Sequence, residues 1–187
     1  MSNTLAELVA PFIADVSKSQ IEVYNEFSLQ HELGLFLRQL LPTFKVRFER
    51  NVRHFFPNVG SFLKREIDLT ITSPDNAELR WAIELKYPRN GQHPEQMFSF
   101  CKDIVFTEQL KAAGFSHAGL LVFADDDLFW RGSNEGIYSY FRGGAELNGQ
   151  IRKPTGAKDV EITVYGRYSL KWEKISETFK YLAVDAA

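Results

Sequence analysis

Between Glu66 and Tyr87 the chain has little conformational choice. EIDLTIT and RWAIELKY both alternate polar with apolar residues, and the segment joining them, SPDNAEL, is rich in turn formers. Strand side chains alternate with period two, so Ile67, Leu69 and Ile71 share one face while Glu66, Asp68 and Thr70 share the other. In the second run Trp81, Ile83, Leu85 and Tyr87 form the apolar face and leave Ala82, Glu84 and Lys86 opposite. The two runs are predicted to form a hairpin. A turn centred on Asn76 sets Asp68 across from Glu84 and Glu66 across from Lys86; a register shift of two would make these neighbours diagonal and keep them on the same face. Asp75 belongs to the turn, roughly 26 Å along the strand from Glu84, and no single ion can bridge that span.

The rest of the chain is read around this hairpin. Helical spacing runs from Leu5 to Val16, and a longer helix starts near Asn25 or Ser28 and is stopped by Pro42. Leu29, Leu33, Phe36, Leu37 and Leu40 make its apolar stripe, with Glu32 on the edge of that stripe. FKVRFERNVR alternates like a strand and leads into an aromatic loop with Pro57 and Gly60. After the hairpin, a helix is predicted over 95–113 and a buried central strand over 118–124 (AGLLVFA). A short helix over 135–141, a Gly-rich loop through Pro154 and a strand over 160–168 precede an end with no clear pattern. The order helix, strand, strand, strand, helix, strand predicts a mixed α/β sheet with helices packed on it.

Composition narrows the function classes. At 44% hydrophobic, with 16 Phe, 7 Tyr and 3 Trp, the 187 residues suffice for one packed core, and one domain over 1–187 is expected. The first twenty residues lack a basic start followed by an apolar run, and no stretch offers the ~20 apolar residues of a membrane span, so a soluble, cytoplasmic protein with no membrane partner is expected. A single cysteine, Cys101, excludes an internal disulfide and a four-thiolate zinc site. His31, His54, His93 and His117 have no ligand-like spacing, so any metal must be held mainly by oxygen.

Charge is uneven. Arg38, Lys45, Arg47, Arg50, Arg53, Lys64 and Arg65 stand against Glu49 alone, a local +6 in a chain of formal net charge −2. Interleaved with Phe44, Phe48, Phe55, Phe56 and Phe62, this segment can meet a phosphate backbone and stack on bases. It can equally be a strand pair with a solvated basic face. Asp125–Asp127 reads as a solvated loop, and Lys102 with Asp103 as an exposed charge pair.

A magnesium-like ion needs two or three hard oxygen ligands, and hydrolysis of a phosphodiester needs a cation near the attacking water. Asp68, Glu84 and the Leu85 carbonyl supply oxygens, and Lys86 is the cation that orients or helps deprotonate the water. Glu32 offers a carboxylate from a second element. The same residues also suit charged cross-strand pairs of a half-exposed sheet, and the residues alone leave both readings open.

With Asp68 followed by Glu84-Leu85-Lys86, the sequence resembles the PD-(D/E)XK nuclease superfamily, over roughly Glu32 to Phe123. The resemblance implies a restriction-endonuclease-like α-β-β-β-α-β core and metal-dependent hydrolysis of nucleic acid, usually DNA. It implies Mg²⁺, with Mn²⁺ as a substitute, on Asp68 and Glu84, and Lys86 at the attacking water; Glu32 matches the acid of the family's first helix. The chain departs from the pattern in having Ile67 before Asp68 in place of proline, and in lacking the tyrosine that exonuclease-type relatives carry on the following helix. Cutting both strands requires a homodimer, or two visits, and no dimer signature is visible. The alternative function is a catalytically silent nuclease-like domain that binds nucleic acid or a protein partner.

Overall fold

The computed structural model describes residues 4–58, 60–89, 91–156 and 159–187. Helix α1 (Leu5–Ser17) opens on a capping box in which Thr4 accepts from the Glu7 amide and Glu7 accepts from the Thr4 amide. Helix α2 (Glu26–Leu40) opens in the same way on Asn25 and Ser28, and ends two residues before Pro42. Strands β1 (Lys45–Asn51), β2 (Glu66–Thr72) and β3 (Leu79–Lys86) follow, then α3 (His93–Ala113) and β4 (His117–Ala124). A single helical turn, α4 (Tyr138–Phe141), leads to β5 (Leu147–Arg152), β6 (Glu161–Tyr168), β7 (Glu173–Lys174) and β8 (Lys180–Asp185).

Six strands form one mixed sheet in the order β1-β2-β3-β4-β8-β7, with β3 and β4 its parallel pair, joined through α3. The β2–β3 register is the one the turn predicts: Leu69 pairs with Ile83, Thr70 with Ala82 and Ile71 with Trp81. The ladder then slips by one, Thr72 pairing with Leu79, beside a turn in which Asn76 takes a positive φ of 60°.

Both faces of the sheet are covered. Leu69, Ile71, Ile83, Leu85, Leu121 and Phe123 pack against Phe12 of α1 and Leu29, Leu33 and Leu37 of α2. On the other side Leu120, Val122, Leu182 and Val184 meet Met97, Phe100, Cys101 and Ile104 of α3, and Ile151 and Val164 of the separate β5–β6 pair extend this layer. Two close fits fix the helices. A Cβ at Gly34 would overlap the Phe48 ring, so glycine lets β1 lie directly on α2. Glu108 of α3 accepts hydrogen bonds from the Tyr165 and Gly166 amides and the Tyr168 hydroxyl, which clamps β6 to α3.

The structure departs from the sequence reading beyond residue 141. The Gly-rich loop contains β5, whose Gly149 sits at a register slip with φ 77°, a bulge that a side chain would strain. The patternless end supplies β8, an inner strand paired with β4 on one side and β7 on the other. Leu182 and Val184 are buried on the α3 side and Tyr181 and Ala183 pack partly on the other, but the apolar run is only four residues long. Among the described residues, no helix is long and apolar enough to cross a membrane.

Candidate active site

At Asp68 and Glu84 the β2–β3 ladder changes character. The backbone pairing gives way one residue beyond Leu69–Ile83, and side chains take over: the Asp68 amide donates to Glu84 Oε1 at 3.2 Å, and the Leu85 amide donates to Asp68 Oδ2 at 2.7 Å. Each carboxylate is thus held by the other strand's backbone. Gln30 of α2 braces the same point, its Nε2 donating to the Asp68 carbonyl at 2.9 Å and to Glu49 at 2.6 Å.

The face that carries Glu84 lies under α3, and α3 adds a third acid there. Asp103 is 2% exposed and Glu84 fully buried. Two lysines answer the three carboxylates. Lys64, from the loop before β2, forms ion pairs with Glu84 and, at 3.0 Å, with Asp103. Lys86 lies 3.5 Å from Asp103 Oδ2 and 3.6 Å from Glu26 of α2, and donates to the Leu85 carbonyl at 2.8 Å.

Electrostatics follow from burial and from an excess of acid. Burial pushes the Glu84 carboxyl well up, the negative charge of Asp68 adds to this, and Lys64 opposes it. Burial also raises Asp68, against the pull of Lys86 and Lys64. For the lysines, desolvation works to lower the pKa, but the surrounding acids win and both are raised. The acids thus favour the charged form of both ammoniums, while burial, with the charge of Asp68, favours the protonated form of Glu84.

Of the residues singled out in the sequence, Asp68, Glu84, Leu85 and Lys86 come together. Glu32 does not join them: its side chain is 36% exposed, its ion-pair contact is with His31 at 3.9 Å, and among the described residues no hydrogen bond or ion pair links it to the cluster. The side chains of α2 that do arrive are Glu26 and Gln30, four residues apart on one face, whereas Glu32 points about 200° away from Gln30. Asp75 stays in the turn, bonded to Ser73 and the Ala77 amide.

Two members were missed. Asp103, expected to be exposed, is buried among Phe100, Ile104 and Thr107 of the inner helix face, and an acid inside that stripe was the available signal. Lys64 gave no signal beyond its charge, because it reaches the acids from an irregular loop. The Asp125–Asp127 loop is a different kind of cluster, with each acid tied to its own basic partner: Arg89, His93 and Arg131 respectively.

Among the described residues, no three His, Cys, Asp or Glu side chains converge in a ready metal cage. The donor chemistry nonetheless suits a hard divalent ion. The acids are carboxylates, and Asp103 Oδ2 is buried and accepts no hydrogen bond. Comparison with protein-family models, with curated proteins and with solved structures gives no match.

Proposed function

We propose that this chain is a metal-dependent nuclease with a restriction-endonuclease-like core, hydrolysing phosphodiester bonds in nucleic acid, DNA foremost. The observation that carries the reading is the mutual fixing of Asp68 and Glu84 across the β2–β3 hairpin, with Lys86 one step beyond on the same strand. The order of α2, β1, β2, β3, α3 and β4 supports it, being the α-β-β-β-α-β order that the resemblance implies.

In this reading Asp68, Glu84 and the Leu85 carbonyl hold Mg²⁺. Held there, the ion would supply Lewis-acid polarisation of the phosphate and would activate the attacking water. Desolvation acts to lower the Lys86 pKa, but Asp103, Asp68 and Glu26 prevail and raise it, so its ammonium suits orienting the water and offsetting charge on the phosphate. The Leu85 amide holds the Asp68 carboxylate, and Gln30 braces its backbone carbonyl. Arg53 and Arg65, exposed and flanking the loop before β2, attract the backbone of the substrate.

A second reading is favoured by one observation. The Lys64 ammonium already compensates Glu84 and Asp103, as expected of a nuclease-like domain that has kept its fold and binds without cutting. Cleavage of supercoiled plasmid, linear duplex, single-stranded DNA and RNA with Mg²⁺ or Mn²⁺, beside EDTA and Asp68→Ala controls, separates the two. Metal-dependent cutting lost in D68A supports the nuclease. Cutting that survives in D68A refutes the site, and binding without cutting by folded protein favours the second reading.

A further inference from the structure

We propose that Lys64 is a resident counter-cation standing in the divalent-ion site, and that Asp103 is a third carboxylate of that site. The inference rests on the nuclease reading and adds to it how the centre is loaded. Its geometry comes from three elements: Glu84 on β3, Asp103 on α3 and Lys64 on the loop before β2.

Three observations carry it. The first is charge. Asp68, Glu84 and Asp103 are three carboxyl groups facing the two ammoniums of Lys64 and Lys86, in surroundings where Glu84 and Asp103 are closed to solvent. A divalent ion replacing one ammonium would balance what the lysines leave over.

The second is an oxygen without a donor. Asp103 Oδ1 takes a hydrogen bond from Lys64, but Oδ2 takes none, and the Lys86 ammonium at 3.5 Å is too far to supply one. A buried carboxylate oxygen left in this state is costly, and a metal bond would satisfy it.

The third is the route by which Lys64 reaches the acids. Its side chain is 29% exposed, while those of its partners are 0% and 2% exposed. It enters from a groove of about 600 Å³ lined by Arg53, Phe56, Phe62 and Arg65. The loop backbone is pinned on both sides of Lys64, the Leu63 amide donating to Gln109 at 2.8 Å and the Arg65 carbonyl accepting from the Val52 amide at 2.8 Å. The four-carbon side chain can therefore swing between the acids and the groove without moving its backbone. A phosphodiester in that basic groove offers the ammonium a second partner, so that substrate entry and metal loading favour each other.

The test is calorimetric titration of Mn²⁺ into wild type, Lys64→Met and Asp103→Asn, with thermal melting of each in EDTA and in Mn²⁺. Removing the competing ammonium should tighten Mn²⁺ binding by about tenfold or more, and removing the third carboxylate should weaken it by about as much. Mn²⁺ should also raise the melting temperature of K64M more than that of wild type. Should K64M be unfolded in EDTA, recovery in Mn²⁺ supports the exchange, and failure to recover overturns it. Equal Mn²⁺ affinity in wild type and K64M overturns the counter-cation role and leaves the nuclease reading intact; unchanged affinity in D103N overturns the ligand role of Asp103. No Mn²⁺ binding by any of the three, with the proteins folded, overturns this inference and the metal-dependent reading together.

Discussion

The molecule holds two groups of three acids, and the same side-chain chemistry has opposite consequences in them. Asp125, Asp126 and Asp127 lie on a surface loop, where each acid has its own basic partner in Arg89, His93 or Arg131 and water screens what remains. Glu84 and Asp103 meet two lysines in the interior, shut away from water, with Asp68 held beside them by the Leu85 amide. In the loop, charge is locally paid for one acid at a time. In the interior the pairs are shared, and removing one member strands the others.

The largest difference should appear when one cation is taken from each group. In EDTA, Lys64→Met leaves the buried Glu84 beside Asp68 and Asp103 with one ammonium fewer, and the loss of unfolding free energy by urea titration should be about 3–5 kcal/mol. A loss below about 1 kcal/mol would mean that the buried group is as well screened as the loop, and the contrast would disappear.

Next in size is the response to pH, where the two groups should have opposite signs. Glu84 has a folded-state pKa raised by burial and by Asp68, so the native state binds its proton more tightly than the unfolded chain does. Its contribution to stability is fully present below the ordinary glutamate range and is lost as pH rises toward the folded value, with a slope of at most about 1.4 kcal/mol per pH unit. Glu84→Gln should remove this decline when melting is followed from pH 4 to pH 8; an identical pH profile in wild type and variant would break the assignment. Asp126 behaves the other way. Burial acts to raise it, but hydrogen bonds from His93 and the Leu128 amide prevail and hold it below its usual range, so its contribution is present above that range and is lost on acidification. Asp126→Asn should cost about 0.5–1 kcal/mol near neutral pH and nothing well below the folded value.

The two groups also differ in how far the sequence disclosed them. Asp68, Glu84 and Lys86 were legible because strand periodicity and a turn at Asn76 dictate both face and register, and the pairs Leu69–Ile83 and Thr70–Ala82 have that register. Helix periodicity is less informative about position along the axis. It located α2 but pointed to Glu32, when the helix meets the site through its first turns, at Glu26 and Gln30. Asp103 was misjudged because one acid beside Lys102 looks like surface, and only tertiary packing reveals that its stripe faces Glu84. Lys64 follows an irregular loop, and no periodicity connects a loop residue to a partner twenty positions away. In the fold, β8 escaped because its apolar run, Tyr181 to Val184, is short, while the longer run of β4, Ala118 to Ala124, was plain.

The smallest effect is the one that tests whether exposure alone separates the groups. Arg131 and Asp127 form an i, i+4 pair at 3.2 Å, with side chains 73% and 53% exposed. Such a pair gains modest Coulomb energy in water, and holding two mobile side chains in one geometry offsets much of it, so Arg131→Met should change stability by no more than about 0.5 kcal/mol. That residue should also vanish at 1 M salt, where the screening length falls to about 3 Å, while the deficit of K64M should persist because solvent ions do not reach Glu84. A salt-insensitive R131M deficit as large as that of K64M would mean that the acidic loop is as tightly coupled to its cations as the interior cluster. The property that sets the candidate site apart would then be the convergence of its elements and not its burial.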